Sequence, residues 1–174
     1  MAYKTIKIKN YLNVFEEITG SGTIYPGMLL ELTSGNAVKA HATASGNVVP
    51  PMFAIENELE GDDIDDAYAT TERVQVWIPT RGDIVYGILA DGQNIAIGDF
   101  LESNGAGYLQ KYVADVVDES WESGSKQIAR SISQTIYPQA IVGVAVEALD
   151  LSDSSGAESG GALGYNKRIA LRIL

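Results

Sequence analysis

"RVQVWIPTRGDIVYGILADGQNIAIGDFLESNGAGYLQKY", residues 73–112, is the stretch on which the fold turns. Val74, Val76 and Ile78 alternate with Arg73, Gln75 and Trp77. Ile84, Tyr86 and Ile88 alternate in the same way with Val85, Gly87 and Leu89. A period of two places successive side chains on opposite sides of a pleated backbone, so both runs are expected to be strands. Residues 79–83 make the turn between them and Asp91-Gly92 makes the next. The last third, "IGDFLESNGAGYLQKY" at 97–112, carries Asp99, Glu102 and Asn104, all oxygen donors. Calcium loops set their ligands at close alternating positions around a glycine, whereas here two apolar residues separate the acids. A phosphate cradle would need a helix N-terminus after the glycines, and "YLQKY" reads as a strand. The stretch is therefore expected to be a β-hairpin, with no metal site.

The rest of the chain agrees with a mainly β reading. Its 174 residues suffice for one domain that buries roughly 70% of the surface its unfolded form exposes. Eighteen glycines, few methionines and short β-branched or aromatic runs favour strands over helices. "AIVGVAVEAL" (140–149) reads as a strand buried on much of both faces, and in "KRIALRIL" (167–174) Ile169, Leu171 and Ile173 share one face. The loop between them, 150–166, has too little apolar surface to offset ordering entropy and is expected to be mobile. Residues 24–41 and 97–112 share a pattern of glycine, Leu-Glu, a glycine-bearing turn and a lysine-bearing strand. Leu30-Glu31 and Leu101-Glu102 are 71 residues apart and Lys39 and Lys111 are 72 apart, so this match needs one inserted residue. Residues 113–139 are open between a short helix over "SKQIARSISQTI" and an irregular strand.

Charge and composition exclude several functions. Twelve basic against 23 acidic residues give a formal charge of −11, which repels phosphate backbones and makes nucleic acid an unexpected partner. Without cysteine there is no disulfide framework, thiolate zinc site or thiol nucleophile. No apolar run is long enough for a spanning helix and no signal-peptide core opens the sequence, so a soluble chain without a membrane partner is expected. His41, the one histidine, sits in the alternating "AVKAHATA", where a place on a sheet is expected over a catalytic one. None of the nucleophile-elbow, zincin, phosphate-loop or dinucleotide motifs occurs, and no catalytic residue or cofactor is expected. The acidic run "ELEGDDIDDAY" (58–68) reads as a solvated loop, with a weakly held divalent ion as the alternative. The Arg81-Gly82-Asp83 tripeptide reads as a turn entering a strand. Residues 1–11 hold Lys4, Lys7 and Lys9 and no acid, so a basic arm precedes an acidic body.

Several segments, taken in order, resemble one family. They are "IYPGMLLEL" (24–32), "PMFAIENELEGDDIDDAY" (51–68), the stretch from Val74 to Leu109, and "QAIVGVAVEALD" (139–150) followed by "KRIALRIL". The motif positions are Gly61 with Ile64 and Tyr68, Gly82-Asp83, Gly98-Asp99 with Leu101-Glu102-Ser103, Gly105 and Gly107, and residues 140–145. In order and spacing they resemble the head decoration, or capsid cement, proteins of tailed bacteriophages. The resemblance implies a small β-barrel of the β-tulip kind at 21–174, preceded by an extended N-terminal arm at 1–20 and interrupted by an irregular insertion at about 113–138. It implies a homotrimer, made in the bacterial host cytoplasm, that sits on the outer capsid surface of the virion. There it would bridge neighbouring major capsid protein subunits and stabilise the expanded shell. Tyr3, Lys4, Lys7 and Lys9 of the arm are then expected to touch the capsid or a sister subunit, with Gly61, Gly82, Asp83, Gly98, Asp99, Gly105 and Gly107 as structural turns. Two other readings compete: a carbohydrate-binding surface module of a virion stacking sugars on Trp77, Trp121 and surface tyrosines, and a glycan-cleaving enzyme using acids from residues 58 to 66, Asp65 and Asp66 among them.

Overall fold

The alternation at 84–88 and 169–173 resolves into the centre of one sheet. In the computed structural model, which describes residues 3–44, 51–117, 133–135, 137–154 and 167–174, six strands pair antiparallel. Their spatial order is β1 (Lys7–Lys9), β7 (Ile84–Ile88), β15 (Arg168–Ile173), β13 (Ile141–Ala145), β9 (Phe100–Ser103) and β10 (Leu109–Lys111). The longest ladder joins β7 and β15, with Arg168 opposite Ile88 and Arg172 opposite Ile84. The sheet curls. Leu89, just past β7, forms a bridge to Leu109 of β10, and the Ala90 N–H donates to the Leu109 carbonyl at 2.8 Å. The strands from β7 to β10 thus come round on themselves, joined on the last side by that bridge and not by a full ladder.

Inside the curl Val85, Leu101, Leu109, Ile169 and Leu171 are fully buried. Burying each such side chain contributes about 1.5–3 kcal/mol. Gly87 shows how tight the interior is: a Cβ there would stand 2.6 Å from Leu109 Cδ1 and 3.3 Å from Leu171 Cδ2. Phe53 and Trp77 extend this core towards a second sheet made of β2 (Phe15–Thr19), β6 (Arg73–Trp77) and β5 (Phe53–Ala54). A second cluster, Ile24, Met28, Leu30, Val38, Val74, Val76 and Ile88, fills the space between this sheet and the β3 (Leu30–Leu32) to β4 (Val38–Ala40) hairpin. The alternation at 73–77 therefore does not separate a buried face from a solvated one, because Val74, Gln75, Val76 and Trp77 are all buried between neighbouring layers.

Short pairs complete the described chain: β8 (Asn94–Ile95) with β14 (Leu149–Asp150), and β11 (Asp115–Val117) with β12 (Ser133–Thr135). Ser133–Thr135 is thus strand; the remainder of "SKQIARSISQTI", apart from Tyr137 and the 3-10 turn Pro138–Ala140 that follow it, lies outside the described residues. The start of the expected mobile loop is tied down. Asp150 belongs to β14, Leu151 is buried, and its backbone exchanges bonds with Gln93 (2.7 Å) and Gly92 (3.1 Å). Residues 155–166 of that loop are outside the described set.

Candidate functional site

The N-terminal segment is held on the body by two buried acids. Glu56 accepts hydrogen bonds from the Thr5 hydroxyl and from the Ile6 N–H (3.2 Å), and Ile6 itself is fully buried. The Ile6 carbonyl accepts from the Tyr86 N–H (2.9 Å), and Tyr3 packs edge-on against the Tyr86 ring at 5.1 Å. Further along, the Tyr11 N–H donates to Asp83 Oδ1 at 2.7 Å. Hydrogen bonds to charged acceptors contribute about 1.5–3 kcal/mol each, so residues 5–11 form a strap fastened at both ends. Their backbone belongs to the folded body, and what they leave outside is side chains: Lys9 is exposed, as is Lys4 just before the strap, while Lys7 is half-buried with its ammonium 5.9 Å from the Phe15 ring centre.

Asp83 also accepts from the Thr80 N–H (2.7 Å) and hydroxyl (3.0 Å), and it is wholly buried. Its carboxylate is consumed inside the protein, so the Arg81-Gly82-Asp83 tripeptide is a turn, as read. Gly61, Gly82, Gly98, Gly105 and Gly107 all have φ between 78° and 96°, which fits their expected place in turns. Asp99 likewise closes a turn: its Oδ2 accepts from the Ala96 N–H (2.9 Å) and from the Lys111 ammonium (2.7 Å). The Lys111 bond, aided by that N–H, holds the Asp99 carboxyl below its usual range. Glu102 accepts from the Gln110 amide (3.0 Å), and Asn104 Oδ1 accepts from the Ala106 and Tyr108 N–H groups. All three oxygen donors of the hairpin thus serve the hairpin.

The acidic run is anchored more firmly than its composition suggests. Arg168, buried in β15, donates to Asp65 Oδ1 (2.7 Å), to the Ile64 carbonyl and to the Pro26 carbonyl (3.2 Å). Asp65 is therefore a clamp partner, and Asp66 caps the turn by accepting from the Asp63 N–H at 2.8 Å. The carboxylate oxygens of Glu60, Asp62 and Glu72 lie within 4.8 Å of one another, close enough to share a hard divalent cation. Glu72 lies outside the acidic run, and only the fold brings it there.

His41 is buried between the β3–β4 and β9–β10 hairpins. Its Nδ1 lies 2.8 Å from Ser103 Oγ and its Nε2 lies 3.8 Å from Glu31. The residue types are those of a hydrolytic triad, but His41 is 2% and Ser103 1% exposed, and Ser103 Oγ also accepts from the Gly105 N–H (3.1 Å). A substrate carbonyl has no path to that hydroxyl while the hairpins are packed. Trp77, which the competing carbohydrate reading would use as a sugar platform, is fully buried and offers no ring face; Trp121 lies outside the described residues. A pocket of about 230 Å³ opens where the strap passes β2, lined by Lys7, Asn13, Phe15, Asn57, Leu59 and Gln75 among others. Glu56 and Arg168, which fix the strap and the acidic loop, were not singled out in the sequence.

No family model matches the chain. Comparison with curated proteins likewise finds no match. A solved structure does match over nearly the whole length. The chain is similar in fold to the head fiber gp8.5 N base of bacteriophage phi29. The likeness covers 94% of this chain and 95% of that one, with a TM-score of 0.50 and 13% identity. At that identity it is a likeness of fold.

Proposed function

We propose that this chain is a structural component of a phage head: a trimer on the outer surface that bridges major capsid subunits and stabilises the expanded shell, with no catalytic turnover. The observation that carries the reading is the fold likeness to a head fiber base across 94% of the chain. The charge supports it, since an acidic body of −11 is suited to the outside of a particle filled with polyanion. Lys4, Lys7 and Lys9, displayed by a strap that is itself rigidly bound, are suited to contact with the shell or a sister subunit.

The mechanism is retention by many weak contacts. Once one protomer of a trimer is seated, its sisters bind at high effective concentration, so modest individual patches give strong retention. A ligand that binds the expanded lattice better than the unexpanded or disrupted one stabilises it by RT ln(1 + [L]/Kd) per site. The test is sedimentation of the purified chain with expanded and unexpanded heads of the phage that encodes it. Binding to expanded heads, a higher temperature for DNA release, and a free mass of three times 18.6 kDa are expected. A stable monomer that binds neither form of head would overturn the proposal.

A further inference from the structure

The outer face of the main sheet carries a row that crosses its whole width. Lys9 stands opposite Ile84, Ile84 opposite Arg172, Arg172 opposite Val144, and Val144 opposite Phe100. The Tyr112 N–H bonds to the Phe100 carbonyl at 2.8 Å and ends the row. Directly opposed residues of antiparallel strands share a face, and strands lie about 4.8 Å apart, so the row is about 24 Å long. Lys9, Arg172 and Phe100 are exposed, and Ile84, Val144 and Tyr112 are half-buried. At the Lys9 end the Tyr11 ring lies under the Lys9 ammonium (4.9 Å) and beside Gly82, which brings the exposed Arg81 to the same corner. At the Phe100 end Ile97 and Val113 stand out, each 70% exposed.

The charges around this row are unusual for so acidic a molecule. Lys39, Lys111, Lys167 and Arg168 each pair with a carboxylate. Lys4, Lys7, Lys9, Arg73, Arg81 and Arg172 have no carboxylate partner among the described residues, and three of them, Lys9, Arg81 and Arg172, gather at one end of one sheet face. Asp83, the acid next to Arg81 in sequence, is buried and bound to Tyr11 and Thr80. That end of the row thus holds three positive charges without an ion-pair partner among the described residues, continuous with a partly exposed apolar strip. Apolar area for contact with charges for register and steering is the composition of a protein interface.

From this pairing of positive charge with apolar area we infer that the row from Lys9 to Tyr112, with Arg81, is the docking face for a carboxylate-bearing protein surface of the shell. The inference rests on the head-associated reading above and names the face by which that contact is made. The test mixes full-length chain with purified expanded heads and measures binding by sedimentation across a salt series. A zero-length carbodiimide, which joins amines to carboxylates, then reports what Lys9 touches. Wild-type protein should bind, with Lys9 cross-linked to shell carboxylates. R81E/R172E should bind at least tenfold more weakly with a flatter salt dependence, at unchanged free mass and melting temperature. R81Q/R172Q, which only neutralises, and Phe100→Ser should each lose threefold or more, and they keep the test open should the charge reversal misfold. Undiminished binding by the folded variants would sink the docking face and leave the head-associated role standing, whereas absence of wild-type binding would sink that role. Cross-links from Lys9 to a second copy, with loss of the oligomer in R81E/R172E, would assign the face to self-assembly and overturn the inference. So would binding of a 30-base-pair DNA duplex that the same variant abolishes.

Discussion

The β3–β4 and β9–β10 hairpins are the same local structure put to two uses. Counted at a constant offset of 71, Gly27 and Gly98 have φ of 91° and 92°, and Leu30 and Leu101 are both fully buried. Thr33 Oγ1 accepts from the N–H groups two and four residues on, and Asn104 Oδ1 does the same. Asn36 and Gly107 both take positive φ, and Val38 and Leu109 are both fully buried. Glu31 pairs with Lys39 at 2.9 Å, as Glu102 bonds Gln110 at 3.0 Å. The inserted residue expected from matching Lys39 to Lys111 is therefore not there: Lys39 corresponds to Gln110, and Lys111 serves Asp99 instead. The difference between the two lies in their surroundings. Leu32 is exposed at the end of a two-stranded ladder, whereas its counterpart Ser103 is buried in the six-stranded sheet and bonded to His41. Turn chemistry fixes a hairpin's shape, and packing decides how much stability depends on it.

That difference predicts unequal costs at matched positions. Gly107→Ala should be the most damaging, because its Cβ would meet Ala40 Cβ at 2.9 Å and the Leu29 carbonyl at 3.3 Å in a left-handed backbone. A loss of about 2–4 kcal/mol is expected in denaturant unfolding. Asn36→Ala, with the same backbone strain in an exposed turn, should cost about 1 kcal/mol. Equal losses at the two sites would break the comparison. Next, Ser103→Ala should cost about 1–3 kcal/mol by removing a partner of buried His41, while Leu32→Ser at the matched exposed position should stay within about 0.5 kcal/mol.

A smaller, pH-dependent effect sharpens the pairing. The Lys39 bond holds the Glu31 carboxyl below its ordinary value of 4.5, outweighing the opposing effect of burial, with a smaller lowering contribution from the Ala42 N–H. A carboxylate lowered in the folded state stabilises it above that ordinary value, and the contribution fades as pH falls through the lowered folded value. Asp99, lowered by Lys111, behaves likewise below 3.8. Melting temperature should therefore drop as pH falls from 5 to 3, and drop less steeply in Glu31→Gln; identical slopes would contradict the assignment. Least of all, Lys39→Gln should cost no more than about 1 kcal/mol at neutral pH, as exposed ion pairs contribute little.

Much of this was legible locally. Period-two alternation marked β7 and β15, and the glycine spacing marked the hairpins, because strand and turn signals are written in neighbouring residues. What escaped were partners chosen by the fold. Glu56 binds a strap 50 residues earlier, and Arg168 grips carbonyls and an acid 103 to 142 residues away. Nothing near Glu56 or Arg168 in sequence announces such distant bonds. The alternation at 73–77 was read correctly as strand, but it could not reveal that a second layer covers both faces. In the same way the basic residues near the N-terminus were evident, whereas their assembly with Arg81 and Arg172 required the register of three strands.

The place of β15 in the sheet has a consequence for biosynthesis. It lies between β7 and β13, yet it is translated after both, about 80 residues behind the end of β7. Until residues 168–173 leave the ribosome, two strand edges stay bare and the Arg168 clamp has no hand to close it. A nascent or prematurely stopped chain is then a sticky, half-sheeted species, exposed to chaperones and proteases for the seconds that those 80 residues take to make. The main sheet is therefore completed only after nearly every strand described here has been synthesised.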